Sequence, residues 1–324
     1  MSVESAGNVI LPPPIAPVPA GASRPLWSVM IPTYNCAKYL RQTLDSVMSQ
    51  DPGPEQMQIE VVDDCSTGDN PEALIKEIGK GRIAFYRKPQ NEGAIANFNT
   101  CIQRSRGYLL HILHGDDYVL PGFYSEILRL REIFPEASFL GCRNFGVDED
   151  GVIGFVSPRI AELEQGGRSA AAFYYSTVLQ FCGVVVCRMF LEKNGGFLPA
   201  LVHTADCEMW TRAISQGGGI VSSKVLSAYR VFPANDTSKL MRAGENIRDL
   251  TRLNLILEER FPDFSPMRAR LRAALMARSQ ARFFAKRQDS TASNQNATVW
   301  REVAPFSARV KETLKDHLRP WFRS

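Results

Sequence analysis

Three times in the first 120 residues a short apolar run breaks off into polar side chains. Trp27-Ser28-Val29-Met30-Ile31 ends in Pro32-Thr33-Tyr34-Asn35, and Ile59-Glu60-Val61-Val62 ends in Asp63-Asp64-Cys65-Ser66. Leu109-Leu110-His111-Ile112-Leu113 ends in His114-Gly115-Asp116-Asp117. Runs this short read as buried strands. After the first, Asn35 offers an N-cap, and Leu40, Leu44, Val47 and Met48 follow at helical spacing. A helix over 71–78, a strand over 83–86 and a helix over 93–104 complete the alternation. Strands alternating with helices of this size imply βαβ units and a mostly parallel sheet. Such a sheet brings its strand ends to one edge, where open α/β folds place ligands. Adjacent aspartates alone are commonly turn formers or helix caps, but three polar strand ends in succession point to one shared pocket.

The rhythm changes after Asn144. A helix over 121–133 and an apolar stretch over 137–141 precede a hairpin turn over 147–153. Strands are expected over 181–187 and 225–231, a helix within 201–216, and two more helices over 244–260 and 267–287. The 324 residues, 44% hydrophobic and 22% charged, suffice for one large or two closely joined globular domains. Seven cysteines, odd in number and without a CxxC pair, suit reduced thiols in a cytoplasm. The proline-rich residues 1–25 read as a disordered leader, and no apolar run approaches the ~20 residues that span a bilayer. The net charge of +4 is uneven: residues 266–324 hold 13 Lys/Arg and 4 Asp/Glu, so a +9 tail follows a −5 body. A tail of that sign favours an anionic partner surface.

Neither GxGxxG nor GxxxxGK[ST] follows the first strand, so no glycine cradle is present for phosphates. A divalent cation on aspartates is the natural substitute, since a cation can hold a diphosphate.

Five motifs, in this order, resemble the family 2 glycosyltransferases. They are Ser28-Val29-Met30-Ile31-Pro32-Thr33-Tyr34-Asn35, Glu60-Val61-Val62-Asp63-Asp64-Cys65-Ser66-Thr67, Asn91-Glu92-Gly93, Gly107-Tyr108-Leu109-Leu110 and Gly115-Asp116-Asp117. The likeness continues more weakly through Gly195-Gly196-Phe197, Ala205-Asp206-Cys207-Glu208-Met209-Trp210 and Tyr229-Arg230, and covers roughly residues 26–240. It implies a GT-A fold, an α/β architecture with helices flanking the central sheet, and here a C-terminal helical extension. It also implies an inverting transferase that takes a nucleotide-sugar donor, UDP-linked by expectation, to a glycan or lipid-linked hydroxyl acceptor in cell-surface polysaccharide or glycolipid assembly. The domains expected are a leader (1–25), a nucleotide-sugar half (26–145), an acceptor half (146–240) and a basic helical extension (241–324).

By the same resemblance Pro32, Tyr34, Asp64, Asn91 and Asp116 would bind nucleotide, with Tyr34 against the base and Asp64 on a uracil-like edge. Asp117, with Asp116, would hold Mn2+ or Mg2+, and Asp206 would be the general base. Glu208 competes for that role, and a helix cap is the plain alternative for Asp206. Trp210, His203 and His114 are candidate acceptor or donor contacts. His114 stands where relatives often carry an acid, and Phe232 where they often carry a histidine, which leaves Asn235 or Asp236 for any metal contact from that loop. A sugar-nucleotide pyrophosphorylase and a catalytically inactive binding protein are the competing readings. The expected setting is the cytoplasm, with the basic helices against the inner membrane face and no nucleic-acid partner.

Overall fold

The computed structural model of the chain describes residues 11–175 and 177–305. The N-terminal alternation is β1 (Trp27–Thr33), α1 (Ala37–Met48), β2 (Met57–Asp63), α2 (Pro71–Gly79), β3 (Ala84–Arg87), α3 (Ala94–Arg104) and β4 (Leu109–Ile112). It continues through β5 (Tyr118–Val119), α4 (Phe123–Ile133), β6 (Phe139–Val147), β7 (Ile153–Val156), β8 (Val184–Cys187), α5 (Arg188–Asn194), α6 (Ala205–Gly217) and β9 (Gly219–Arg230). Among the described residues these strands form one sheet in the order β3-β2-β1-β4-β8-β6-β9-β5, with β7 on β6. The block β3-β2-β1-β4 is parallel throughout, as alternation with helices requires. Beyond it, β8 runs antiparallel to both β4 and β6, while β9 pairs parallel with β6.

Every residue of β1, β2 and β4 is buried, which is why these strands read as continuous apolar runs. Leu40, Leu44 and Val47 of α1 join Val29, Ile31, Ile59 and Val61 in the core. Register sets the strand ends side by side: Thr33 lies opposite Asp63, and Met30 opposite Ile112.

The chain divides into two compact units. The first holds the sheet, up to residue 200 together with 205–231; the second holds 201–204 and the chain from 232 onward. The second is helical: α7 (Asp236–Ala243), α8 (Glu245–Arg260), α9 (Pro266–Lys286) and α10 (Ser290–Val303). The basic tail is thus helical through α10, and its last part, 306–324, lies outside the described residues.

Residues 11–25 do not behave as the expected disordered leader. Ile15 is buried, Pro13 accepts a backbone hydrogen bond from Gly196 at 2.9 Å, and Arg24 pairs with Glu192 at 3.3 Å. Prolines forbid helix here but suit an extended strap, whose one well-placed isoleucine binds it to the body. Residues 1–10 of that leader lie outside the described residues.

Candidate active site

The three polar clusters are bonded to one another. Asp64 donates its backbone N–H to Thr33 O at 2.9 Å, and Gly115 donates to Pro32 O at 3.1 Å. Asn35 is not the helix cap its position promised: it adopts φ 50°, and Cys36 precedes the helix instead. Asparagine tolerates this left-handed conformation because its short amide can bond locally. Here Asn35 Oδ1 accepts from Thr67 N and Gly68 N at 3.0 and 2.7 Å, stapling the first cluster to the second. Gly115 makes the corresponding close approach. A Cβ there would stand 2.7 Å from Thr33 Cγ2 and 2.8 Å from Cys36 Sγ.

Within the second cluster the two aspartates divide their work. Asp63 is fully buried and binds Ser66, Thr33 and Arg87, the last at 2.7 Å. Asp64 accepts from the backbone N–H groups of Glu92 and Gly93 at 3.1 and 2.9 Å and pairs with buried Lys88 at 2.8 Å. It therefore fixes the Asn91-Glu92-Gly93 loop to the end of β2. Tyr34 and Asn91 are exposed beside these anchors, whereas Pro32 is buried.

In the third cluster His114, Asp116 and Asp117 bring one ligand atom each to within 4.8 Å of one another. Asp117 is 1% exposed; its Oδ1 accepts from Arg230 N at 2.8 Å, and its Oδ2 has no hydrogen-bond partner. Burial first, and then the neighbouring Asp116, push its carboxyl well above the usual range. A buried carboxylate oxygen without a donor, beside a second carboxylate and an imidazole, is a donor set that fits a divalent cation. The His114 ring stacks on Phe98 and meets Phe181, with centroids 4.9 and 4.6 Å away.

Arg230 clamps this loop, a role that the motif Tyr229-Arg230 did not reveal. Its guanidinium reaches Asp116 O at 3.0 Å, Asp148 O and Glu149 O at 3.1 and 3.0 Å, and Gln42 Oε1 at 2.5 Å. It also lies 4.7 Å from the Tyr39 ring centroid. A planar fork with five N–H donors is what such a junction of carbonyls needs.

The structure separates the candidates on α6. Glu208 is 1% exposed and forms a bidentate pair with Arg212 at 2.9 and 3.0 Å, while Arg212 also caps the carbonyls of Asn194 and Gly196. Glu208 is thereby committed to holding α5 against α6 and is not placed to act as a base. Trp210 is likewise no sugar platform. It is 2% exposed, with ring centroids 5.2 Å from Phe181 and 5.6 Å from Phe139.

Asp206 sits inside the first turn of α6 rather than at its cap. Its Oδ1 accepts from Cys207 N at 2.7 Å, with the Thr177 hydroxyl at 3.4 Å. Burial raises its carboxyl to about 6, against which these hydrogen bonds act. His203 belongs to the second unit. Its N–H, with those of Val202 and Thr204, is bound by the buried carboxylate of Asp249. Asn235 caps α7, accepting from Ser238 N at 2.8 Å, and Asp236 pairs with Lys239 at 3.1 Å. Among the described residues the His, Cys, Asp and Glu side chains that gather into a cation-capable group are His114, Asp116 and Asp117.

A mixed sheet that is parallel over its first half, with acidic clusters at its strand ends and a carboxylate on a later helix, is the architecture of the GT-A glycosyltransferases. Solved structures share it. That of S. aureus TarS (residues 1–349) with UDP-GlcNAc superposes with a TM-score of 0.59 at 16% identity, over 86% of this chain and 81% of that one. The mannosyltransferase PcManGT from Pyrobaculum calidifontis, with GDP-Man and Mn2+, gives 0.54 at 17% identity, over 89% and 88%. Residues 28–193, just over half of the chain, match the profile of glycosyl transferase family 2, and the chain belongs to that family. Among curated proteins it is 27% identical to an uncharacterized Mycobacterium tuberculosis protein over 73% of this chain and 76% of that one. It is 23% identical to the Escherichia coli UDP-Glc:alpha-D-GlcNAc-diphosphoundecaprenol beta-1,3-glucosyltransferase WfaP, over 69% and 86%.

Proposed function

We propose that this glycosyltransferase moves a sugar from a UDP-sugar to a hydroxyl on a glycan or lipid-linked acceptor, with inversion, in the assembly of a cell-surface polysaccharide or glycolipid. The observation that carries this reading is the His114-Asp116-Asp117 group with its unpartnered buried Asp117 Oδ2. The E. coli relative, named for UDP-Glc and a diphosphoundecaprenol acceptor, supports the donor and acceptor classes. The Mn2+ in the Pyrobaculum structure supports the metal.

Asp117, Asp116 and His114 would hold Mn2+ or Mg2+, which when bound neutralises charge on a departing diphosphate. The exposed Tyr34 ring offers a face to the base. Asp64 has three protein donors, so one of its roughly four acceptor positions remains for a ring N–H. Pro32 and Asn91 flank the same strand ends. The Asp206 carboxylate removes the proton of the acceptor hydroxyl as the hydroxyl oxygen attacks the anomeric carbon; the bond to the diphosphate breaks on the opposite face, and the nucleotide diphosphate leaves. A single displacement assisted by one base gives inversion.

A pyrophosphorylase would need a glycine-rich basic loop after β1, and Pro32-Thr33-Tyr34-Asn35 is neither. An inactive binding protein would release no UDP from any donor. The test is transfer from a panel of UDP-sugars, with the product anomer read by NMR. An α-linked donor is expected to give a β-linked product, and Asp206→Asn to lower kcat by several orders of magnitude. Retention of configuration, or near wild-type turnover by the variant, would overturn the proposal.

A further inference from the structure

Helix α9 has two faces of opposite kind. Ala269, Ala273, Ala274, Ala277, Gln280 and Phe284 are buried and dock it within the helical unit. On the outward face Met267, Leu271 and Leu275 recur at i, i+4 spacing and are 66, 45 and 57% exposed. Phe283, 43% exposed, lies further along with the Arg287 guanidinium 3.8 Å from its ring centroid. Arg270, Arg282 and Lys286 are exposed around these side chains, and the helix from 266 to 286 contains no Asp or Glu. The exposed acids among the unit's described residues lie off this helix: Asp236 on α7, Glu258 and Glu259 on α8, Asp263 in the turn before α9 and Glu302 on α10.

Apolar side chains kept in water on a helix whose charged side chains are all positive have one well-matched partner. We infer that the outward face of α9 docks on an anionic lipid bilayer, with Met267, Leu271, Leu275 and Phe283 entering the headgroup region and the basic side chains meeting lipid phosphates. Charge complementarity selects an anionic surface, and the apolar stripe selects a bilayer over nucleic acid, where those side chains would bury nothing. Among the described residues no helix is long and apolar enough to cross a membrane, so the attachment is peripheral. The inference does not depend on which sugar or acceptor the enzyme uses.

Co-sedimentation of the full chain with phosphatidylcholine vesicles, with and without phosphatidylglycerol, tests it. Binding is expected only when phosphatidylglycerol is present, and is expected to weaken as salt rises. Leu271→Asp with Leu275→Asp should lower the partition coefficient by about tenfold or more, with UDP-sugar hydrolysis unchanged. Arg270→Glu, Arg282→Glu and Lys286→Glu together should lower it similarly and remove the salt dependence; this set decides the matter should the leucine variant misfold. Failure of the intact chain to sediment would overturn the inference. So would equal binding to neutral vesicles, undiminished binding by the charge variant, or tighter binding to duplex DNA than to the anionic vesicles.

Discussion

Asp206 and Glu208 stand two residues apart at the start of one helix, and their surroundings give them opposite work. Glu208 has a full guanidinium partner in Arg212; Asp206 is buried without a cation and is raised to about 6. As the proposed base Asp206 is competent when ionised, so kcat should fall by about tenfold per pH unit below about 6 and level off above it. A profile flat down to pH 5 would remove Asp206 from the role. The same shift has a stability consequence. The folded chain holds this proton more tightly than the unfolded chain, so Asp206 disfavours folding progressively as pH rises from about 4 to about 6, and fully above that. Asp206→Asn, which cannot ionise, should therefore match or exceed the wild-type Tm at pH 7.5, a test by calorimetry separate from activity. Glu208→Gln should do the reverse. It strands a buried Arg212 and should destabilise by about 3 kcal/mol in urea unfolding, while the folded fraction keeps its kcat. The sequence carried a signal for this division, since Arg212 follows Glu208 at the i+4 spacing of a helical ion pair. No comparable pattern exposes Arg230 or the hold of Asp249 on residues 202–204, whose bonds join distant segments.

Strand ends and the turns behind them carry the site, and most were legible. The runs that stop at Pro32, Asp63 and His114 announce β1, β2 and β4 because strands buried on both faces have no polar alternation. Elements without that contrast were not. Helix α10 reads Ser-Thr-Ala-Ser-Asn-Gln-Asn-Ala-Thr, a poor helix former on propensity. It is held by its Asp289 cap and by Asn296, which donates to Met241 O at 2.9 Å. The linkage between strand ends was legible only as convergence, and its substance lies in Asn35, Gly115 and Arg230. Gly115→Ala should push the third cluster away from Thr33 and Cys36, destabilising by about 1–3 kcal/mol in urea unfolding and weakening UDP binding. An unchanged midpoint and unchanged affinity would show that the close approach is dispensable. Arg230→Lys keeps charge but loses the fork, and should weaken Mn2+ affinity more than it alters kcat at saturating metal.

The chain as a whole joins two units that the sequence distinguished chiefly by charge. The negative body holds the sheet, and much of the positive tail forms α9 and α10. Fold and family were legible because five motifs stand in order along the N-terminal half. The acceptor was not, because the segments between Asn144 and Asp206 are shaped by packing rather than by motif. What unites the body is the proposed assignment of donor and cation to Asp117 and its neighbours, and of the proton to Asp206. Calorimetric titration of UDP in the presence of Mn2+ separates these roles. Wild type and Asp206→Asn should bind with similar affinity, while Asp117→Asn should show no Mn2+-dependent binding. Equal binding by wild type and Asp117→Asn would contradict the assignment.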